Sequence, residues 1–417
     1  MAELFENAGQ AERAVLVSVD TGDFDAQVSI EELASLAQTA GAQVLFSVIQ
    51  KKERPEAATY VGVGKLFEIK LVCEREEATL LVFDGELTPS QQRNIEKVTN
   101  VRTIDRTPLI LDIFAMRARS GEGRLQVELA QLRYSLPRLS GLGTSMSRLG
   151  GGIGTRGPGE TKLETDKRHI RRRIQHLEQE LAQLEKRRNM QRERRKKDGV
   201  QSVAIVGYTN AGKSTLMNAL TDAGVLAEDM LFATLDPTAR ALILPDGRSV
   251  MLIDTVGLIR RLPHKLVEAF KSTLEVAADA TVILNVCDAS DEQCSEHLKV
   301  TNELLKEIGC GDVPVISVMN KCDLAGDIYN LPTFGKTVMI SALEEKGLEN
   351  LLQMISQALP PTRSTVELLI PFSAGGEAAR ARREGVVLEE EYRENGLYMK
   401  ATVEHSFIDA HKDWILE

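Results

Sequence analysis

Apolar and polar positions along this chain follow two rhythms, and the places where one gives way to the other mark its elements. Between residues 14 and 112, short apolar runs at Ala14–Val19, Gln43–Val48, Thr79–Phe83 and Val101–Ile104 read as strands. Helical patterns lie between them at about 65–76 and 89–99, and Ser29-Ile30-Glu31-Glu32 reads as a capping box opening an earlier helix. Strand alternating with helix predicts a parallel sheet covered by helices. The same rhythm returns at Val203–Val206, Val250–Ile253, Val313–Met319 and Val338–Ile340, with Thr215–Leu220 opening a helix after the first of these. Near the end, Val366–Pro371 suggests a strand and Gly376–Arg383 a short helix. Glu394-Asn395-Gly396 then turns a hairpin between Val386–Tyr392 and Leu397–Val403.

A different period occupies the middle of the chain. Leu125, Leu129, Leu132 and Leu136 recur at spacing 4-3-4, as do Ile170, Ile174, Leu177, Leu181 and Leu184 at 4-3-4-3. Each set is a narrow apolar seam of coiled-coil type, so the pair predicts an antiparallel helical hairpin. Pro137 ends the first arm. The connection runs from Ser140 through the glycine-rich stretch Gly150–Gly154 to Gly157-Pro158-Gly159-Glu160, which is too long to be ordinary filler.

Composition narrows the class. At 417 residues with 43% hydrophobic content, the chain is expected to form about three globular domains. One tryptophan, Trp414, and 4% aromatic residues disfavour a binder that works by stacking. Five scattered cysteines without a C-x-x-C pair read as reduced, mostly buried thiols rather than a disulfide frame or zinc site. No apolar run reaches the roughly 18 residues of a spanning helix and no signal pattern opens the chain, so a soluble, cytoplasmic, monomeric protein is expected.

Charge is informative once it is located. The chain has a net charge of −10, yet residues 101–200 hold 23 Lys and Arg against 12 Asp and Glu, a balance of +11. A basic block in an otherwise acidic protein has the footprint of a nucleic-acid binder, with a solvated helix face as the competing reading. Arg148, Arg156 and Lys162 stand in the glycine-rich tip, where backbone can approach RNA and arginine can meet phosphate; a linker with incidental charge is the alternative.

The chemistry is carried by Gly207-Tyr208-Thr209-Asn210-Ala211-Gly212-Lys213-Ser214, which fits the phosphate-binding loop, with a strand before it and a helix from Thr215 onward. Its backbone N–H groups and the helix N-terminus would face the phosphates, Lys213 would reach the β- and γ-phosphates, and Ser214 would ligate Mg²⁺. Asn320-Lys321-Cys322-Asp323 follows a later strand. The Asp323 carboxylate can accept from guanine N1–H and its exocyclic amine, whereas adenine would leave it unpaired. Asn320 would tie this segment to the phosphate loop, the Lys321 stem would cover the base, and Ser341-Ala342-Leu343 would offer a backbone N–H to guanine O6. Between them, Asp254-Thr255-Val256-Gly257 closes a strand: Asp254 would hold Mg²⁺ through water and the Gly257 N–H would sense the γ-phosphate. In Phe232-Ala233-Thr234-Leu235-Asp236, Thr234 would complete the Mg²⁺ shell, with Thr238 as competitor. All five elements stand in the order of a GTPase switch, with Lys213, Thr234 and Gly257 at the reacting phosphate.

Position 258 departs from the usual pattern. Many GTPases place there a glutamine that orients the attacking water, but this chain has Leu258. Either hydrolysis is slow until a partner lends a group, or Leu258 only packs and another side chain contacts water.

Taken together, these motifs resemble the HflX family of ribosome-associated GTPases. The similarity rests further on Tyr60–Lys65, Leu87–Asn94, Asp105-Arg106-Thr107, Leu125–Leu132, Gly151–Asp166 and Phe232–Thr238. It implies an N-terminal α/β subdomain over 1–115, a helical hairpin over 116–198, a P-loop GTPase domain of mainly parallel sheet over 199–361, and a small α+β domain over 362–417. It further implies a partner in the large ribosomal subunit and its rRNA, and separation of stalled or hibernating 70S ribosomes with GTP bound. A large-subunit assembly factor and a non-enzymatic RNA-binding scaffold remain alternatives. Some relatives have been credited with ATP hydrolysis through the N-terminal domain, but Gly62-Val63-Gly64-Lys65 lacks the full phosphate-loop spacing and reads as a tight turn.

Overall fold

The computed structural model describes residues 11–139, 158–197, 199–221, 231–232, 238–261, 263, 266, 277–325, 335–361 and 363–416. Its first layer is a parallel sheet of β1 (Arg13–Asp20), β2 (Gln43–Lys51), β3 (Leu80–Phe83) and β4 (Arg102–Asp105), in the order β2-β1-β3-β4. Helices α1 (Ala26–Thr39), α2 (Val63–Arg75), α3 (Pro89–Thr99) and α4 (Arg106–Arg117) cover it. The period of two in β1 divides its side chains between two cores. Val15, Val17 and Val19 join Leu66, Ile69 and Ile95 from α2 and α3, while Ala14 and Leu16 join Leu33, Ile110 and Phe114 from α1 and α4.

Two local expectations are corrected here. Helix α1 is capped by Asp25, whose side chain accepts from the N–H groups of Gln27 and Val28. Ser29 lies inside the helix and donates instead to Asp84, so the capping-box reading fails. Gly62-Val63-Gly64-Lys65 is the start of α2 with Gly62 as its N-cap, not a tight turn; the Gly62 φ of −62° needs no glycine.

The expected hairpin follows as α5 (Gly121–Ser135) and α6 (Pro158–Lys197). Leu129, Leu132 and Leu177 form its buried seam, flanked by Leu125, Ile170, Ile174 and Leu181. Glu122 pairs with Arg188 and Glu128 with Arg173, so the arms run antiparallel. Pro158 opens α6, as proline does well in a first turn. Lys162 is therefore a residue of the helix rather than of the loop, while Arg148 and Arg156 lie outside the described residues.

The second sheet has six strands: β5 (Ser202–Gly207), β6 (Thr238–Ile243), β7 (Ser249–Asp254), β8 (Val282–Asp288), β9 (Val315–Asn320) and β10 (Lys336–Met339). Their order is β10-β9-β8-β5-β7-β6, and only β6 runs antiparallel to its neighbour. Helices α7 (Lys213–Thr221), α8 (Cys294–Glu307) and α9 (Leu348–Ala358) pack on it. A mostly parallel sheet buried on both faces explains the apolar run of β5 and that of β8, which only Asn285 interrupts before Asp288. Last comes an antiparallel sheet in the order β11-β13-β12, from β11 (Arg363–Ile370), β12 (Val386–Arg393) and β13 (Gly396–Glu404). Helices α10 (Gly375–Glu384) and α11 (His405–Ala410) complete that unit around Leu368, Met399 and Ala401. Among the described residues no helix is long and apolar enough to cross a membrane.

Candidate functional site

The second sheet frames a site at the C-terminal ends of β5, β7, β9 and β10, where open α/β sheets bind ligands. Gly207 ends β5 with φ +150°, and a Cβ there would lie 2.1 Å from the Val286 carbonyl oxygen. At Gly212, φ is +85° and a Cβ would lie 2.2 Å from Asn320 Nδ2. Only glycine fits either place. Between them Asn210 adopts the left-handed conformation at φ +61°, which asparagine tolerates better than most residues. The loop then feeds directly into α7, whose first residue is Lys213.

Lys213 is buried, and its Nζ donates to the Tyr208 carbonyl at 2.7 Å. Burial pushes its pKa down to about 8, against the pull of the nearby Asp254 carboxylate. A buried cation held by one carbonyl within a loop of free curvature is poised to meet an anion. Beside it, Ser214 Oγ donates to Asp254 Oδ2 at 3.0 Å, which brings two of the three expected Mg²⁺ residues together. Asp254 ends β7 with no solvent exposure.

The strand-end segment after Asp254 is stitched to the phosphate loop. Thr209 N–H donates to the Leu258 carbonyl at 2.8 Å, and Leu258 N–H donates to the Gly207 carbonyl at 3.0 Å. A Cβ on Gly257 would lie 2.7 Å from Thr209 Cγ2 and 3.1 Å from Lys213 Nζ, so this glycine stands against the buried lysine. Leu258 itself is buried, its backbone fixed by both hydrogen bonds.

On the opposite side, Asn320 bridges three segments. Its Nδ2 donates to the Ala211 carbonyl at 2.9 Å and its Oδ1 accepts from the Ala342 N–H at 2.9 Å. Lys321 is left-handed at φ +61° and its Nζ lies 2.7 Å from Asp288 Oδ2. Cys322 N–H donates to the Ile340 carbonyl at 3.2 Å, and Asp323 is exposed. Ser341 N–H is engaged by the Lys346 carbonyl at 3.0 Å, so a base oxygen would compete with Asn320 Oδ1 for Ala342 N–H. Leu343 is exposed at the rim. Thr215 follows Ser214 in the first turn of α7, and Thr255 Oγ1 donates to the Ile205 carbonyl at 2.7 Å. Val256 is buried. Ala233, Thr234, Leu235 and Asp236 lie outside the described residues, whereas Thr238 begins β6 opposite Asp254.

Three family models match the chain. They are GTP-binding GTPase N-terminal over 27–115, GTP-binding GTPase Middle Region over 117–195 and 50S ribosome-binding GTPase over 202–321. A GTPase HflX of Caldanaerobacter subterraneus subsp. tengcongensis is 51% identical across 95% of this chain and 92% of its own. Its counterpart in Lacrimispora saccharolytica is 49% identical across 97% and 96%. That of Escherichia coli K12 is 42% identical across 94% and 93%. The chain belongs to the HflX family of GTPases. Its GTP-binding domain is the six-stranded unit, and it hydrolyses GTP.

Sequence reasoning did not find what surrounds this site. Tyr208, the first variable residue of the phosphate loop, donates its hydroxyl to the Glu32 carboxylate of α1 and accepts from the Arg260 N–H at 2.7 Å. Its ring stacks on His297 of α8 at 3.8 Å between centroids. Burial and the adjacent Glu32 push the tyrosine pKa well above its usual value, so the hydroxyl stays protonated. Phe232 meets Phe114 of α4 edge to face at 4.7 Å. One hydrophobic cluster holds Leu33 and Ile110 of the family's N-terminal unit together with Tyr208, Phe232, Val256 and Ile259 of its GTPase unit. Arg106 ties Glu32 to Asp84, and Asp84 reaches Arg261 beyond Gly257. In the sequence Arg106 stands beside Asp105, and no local pattern there points across the seam.

Proposed function

We propose that this GTPase is a guanine-nucleotide switch that acts on the large ribosomal subunit and separates stalled or hibernating 70S ribosomes into subunits. The observation that carries the reading is the shared core: residues flanking both nucleotide-sensing segments, Phe232 and Ile259, are packed into the same cluster as α1 and α4. A change at the γ-phosphate would therefore reach the N-terminal unit through packed side chains rather than through a flexible tether. Support for the ribosomal partner comes from the matched family description, 50S ribosome-binding GTPase, and from the basic block around α6. Arg148, Arg156 and Lys162 are its proposed RNA contacts.

In the site, Gly207–Ser214 cradles the phosphates, and Thr215 extends the loop into α7. Ser214, Thr234 and, through water, Asp254 would hold Mg²⁺, whose charge offsets that of the transferring phosphoryl group. The 3.0 Å approach of Ser214 to Asp254 suits that role. Lys213 stabilises the charge developing between the β- and γ-phosphates, while the Gly257 N–H fixes the position of the γ-phosphate. Asp323 reads guanine, Lys321 covers the base, and Ser341–Leu343 close its edge. Leu258 is packed and cannot orient water, so the attacking water is positioned by the partner or by the switch segment once ordered.

The test is a sucrose-gradient profile of 70S ribosomes incubated with the chain and a non-hydrolysable GTP analogue. Free subunits released from 70S are the expected result. Association with immature large subunits alone would mean an assembly factor, and no change in profile with RNA still bound would mean a scaffold.

A further inference from the structure

Below the guanine-binding segment lies a pair of thiols that the GTPase reaction does not use. Cys287, near the end of β8, places its Sγ 2.9 Å from the Sγ of Cys294, the first residue of α8. Both are buried, in a small cluster with Ala289, Leu298 and Met319 that also contains the half-buried Cys322. Among the described residues no group of three or more His, Cys, Asp or Glu is arranged to hold a metal.

What surrounds the pair links it to the nucleotide. The residue after Cys287 is Asp288, which holds Lys321 at 2.7 Å, and the next, Ala289, donates its N–H to the Asn320 carbonyl at 2.7 Å. In strand register Cys287 stands beside Met319 and Asp288 beside Asn320. The first turn of α8 borders a cleft of about 180 Å³ lined by Tyr208, Asn210, Asp288, Asp291 and His297. A small oxidant in that cleft is one helical turn from Cys294.

We propose that Cys287 and Cys294 form a peroxide-sensitive dithiol site, whose closure to an intramolecular disulfide lowers the affinity of the oxidised chain for guanine nucleotide. The effect on affinity rests on the guanine site proposed above; bond formation does not. The hydrogen bond from Cys287 holds the Cys294 thiol below its usual pKa, against burial and the Asp291 and Asp288 carboxylates, while Cys287 is pushed up. Cys294, at the start of α8 and in the turn that borders the cleft, is the attacking sulfur. Its thiolate attacks one peroxide oxygen, the O–O bond breaks, and the departing hydroxide takes up a proton as water, leaving a sulfenic acid. The Cys287 sulfur then attacks the Cys294 sulfur; the S–O bond breaks, and the leaving hydroxide takes the Cys287 proton. Two thiols and one hydrogen peroxide become one disulfide and two waters, the sulfurs giving up two electrons. Contracting the pair from 2.9 Å to a bond of about 2.0 Å ties β8 covalently to α8, beneath Asp288 and the Lys321 it holds.

The full chain, reduced and then exposed to hydrogen peroxide, provides the test. Tryptic peptide 272–299 contains both thiols and is expected to lose two hydrogens in mass. GDP affinity by calorimetry is expected to fall about tenfold, and a dithiol reductant to reverse both changes. Cys322→Ser retains both effects, whereas Cys294→Ser and, independently, Cys287→Ala abolish them. Absence of the mass change, or pairing of either thiol with Cys310 or Cys322 instead, overturns the site. A bond that forms without altering GDP affinity overturns the coupling. Failure of the guanine reading is distinguishable, because it would show in the reduced protein as an Asp323→Asn variant with wild-type GTP affinity.

Discussion

Arg261 Nη1 stands 2.7 Å from Asp84 Oδ2, joining the segment beyond Gly257 to the end of β3 in the N-terminal sheet. The same carboxylate receives Arg106 on its other oxygen at 3.1 Å, and Ser18 and Ser29 donate to it as well. Arg106 and Asp84 are each about 2% exposed, whereas Arg261 is 37% exposed at its side chain. The two halves of this cluster therefore differ in weight. Asp84→Ala leaves a buried guanidinium with Glu32 as its remaining carboxylate and is expected to destabilise the chain by about 3 kcal/mol. Arg261→Ala removes a half-exposed partner and is expected to change stability by less than about 1 kcal/mol. Urea midpoints would compare the two, and the stopped-flow rate of GDP release is expected to rise in Arg261→Ala because the segment next to Gly257 loses its anchor.

Much of the nucleotide site was legible because each element is local: a strand, a few chemically constrained residues, a helix. Gly207, Gly212 and Gly257 stood out by their places in the motifs, and the geometry explains each by a clash that a Cβ would meet. The seam was not legible. Tyr208 and Glu32 are 176 residues apart, and Asp84 and Arg261 are 177 apart, so no periodicity connects them. Ser29 was misread for the same reason: its hydroxyl serves Asp84, 55 residues away, rather than its own helix. Strand β8 and helix α8 were passed over because their apolar runs contain no motif, although β8 lies at the centre of the sheet.

The glycine at 212 offers a sharper test than removal of a catalytic group. Gly212→Ala combines φ +85° with a Cβ 2.2 Å from Asn320 Nδ2, so both the loop and its tie to Ala211 must shift. Strain at a left-handed residue costs about 1–3 kcal/mol. GTP affinity is expected to fall at least about tenfold with little loss of secondary structure by circular dichroism. Unchanged affinity would place the phosphates elsewhere.

Lys213 makes nucleotide binding depend on pH. Its pKa in the free chain is about 8, and bound phosphates would raise it, so the complex holds more protons than the free chain above about pH 8. Affinity is therefore expected to fall as pH rises from about 8 toward 10, by up to about tenfold per unit. Folding of the free chain has the opposite sign. The unfolded lysine titrates near 10.5 and the folded one near 8, so between these values the unfolded state binds more protons and this group's contribution to stability grows with pH. Calorimetric GDP titrations from pH 7 to 10 read the first effect, and urea midpoints without nucleotide read the second.

The proposed reader of guanine is Asp323, which is exposed beside the Asn320 bridge. Asp323→Asn is expected to lower GTP affinity by about a hundredfold or more and to favour xanthosine triphosphate, whose C2 oxygen can accept from the amide. Competition between the two nucleotides for the variant would decide it; wild-type preference for GTP would move the base pocket away from this loop.

The last test concerns how the hairpin speaks to the switch. Helix α6 ends at Lys197 and β5 begins at Ser202, so docking of α6 and the geometry of the phosphate loop are separated by only a few residues. The hairpin is held as a unit by its leucine seam and by Arg173, whose two guanidinium nitrogens lie 2.8 Å from the Glu128 oxygens. A force applied to the hairpin would thus arrive at β5 rather than dissipate within it. Replacing Arg148, Arg156 and Lys162 by alanine is expected to weaken ribosome binding and to reduce the slope of log affinity against log salt by up to about 3, one for each lost phosphate contact. Basal GTP hydrolysis is expected to stay unchanged, because none of the three belongs to the nucleotide site, while the maximal ribosome-stimulated rate falls. Measuring both rates across a ribosome titration separates weaker binding, which shifts only the midpoint, from lost coupling, which lowers the plateau. An unchanged plateau with a shifted midpoint would make these residues anchors alone and leave the shared core at Phe232 and Ile259 as the route by which the ribosome reaches the switch.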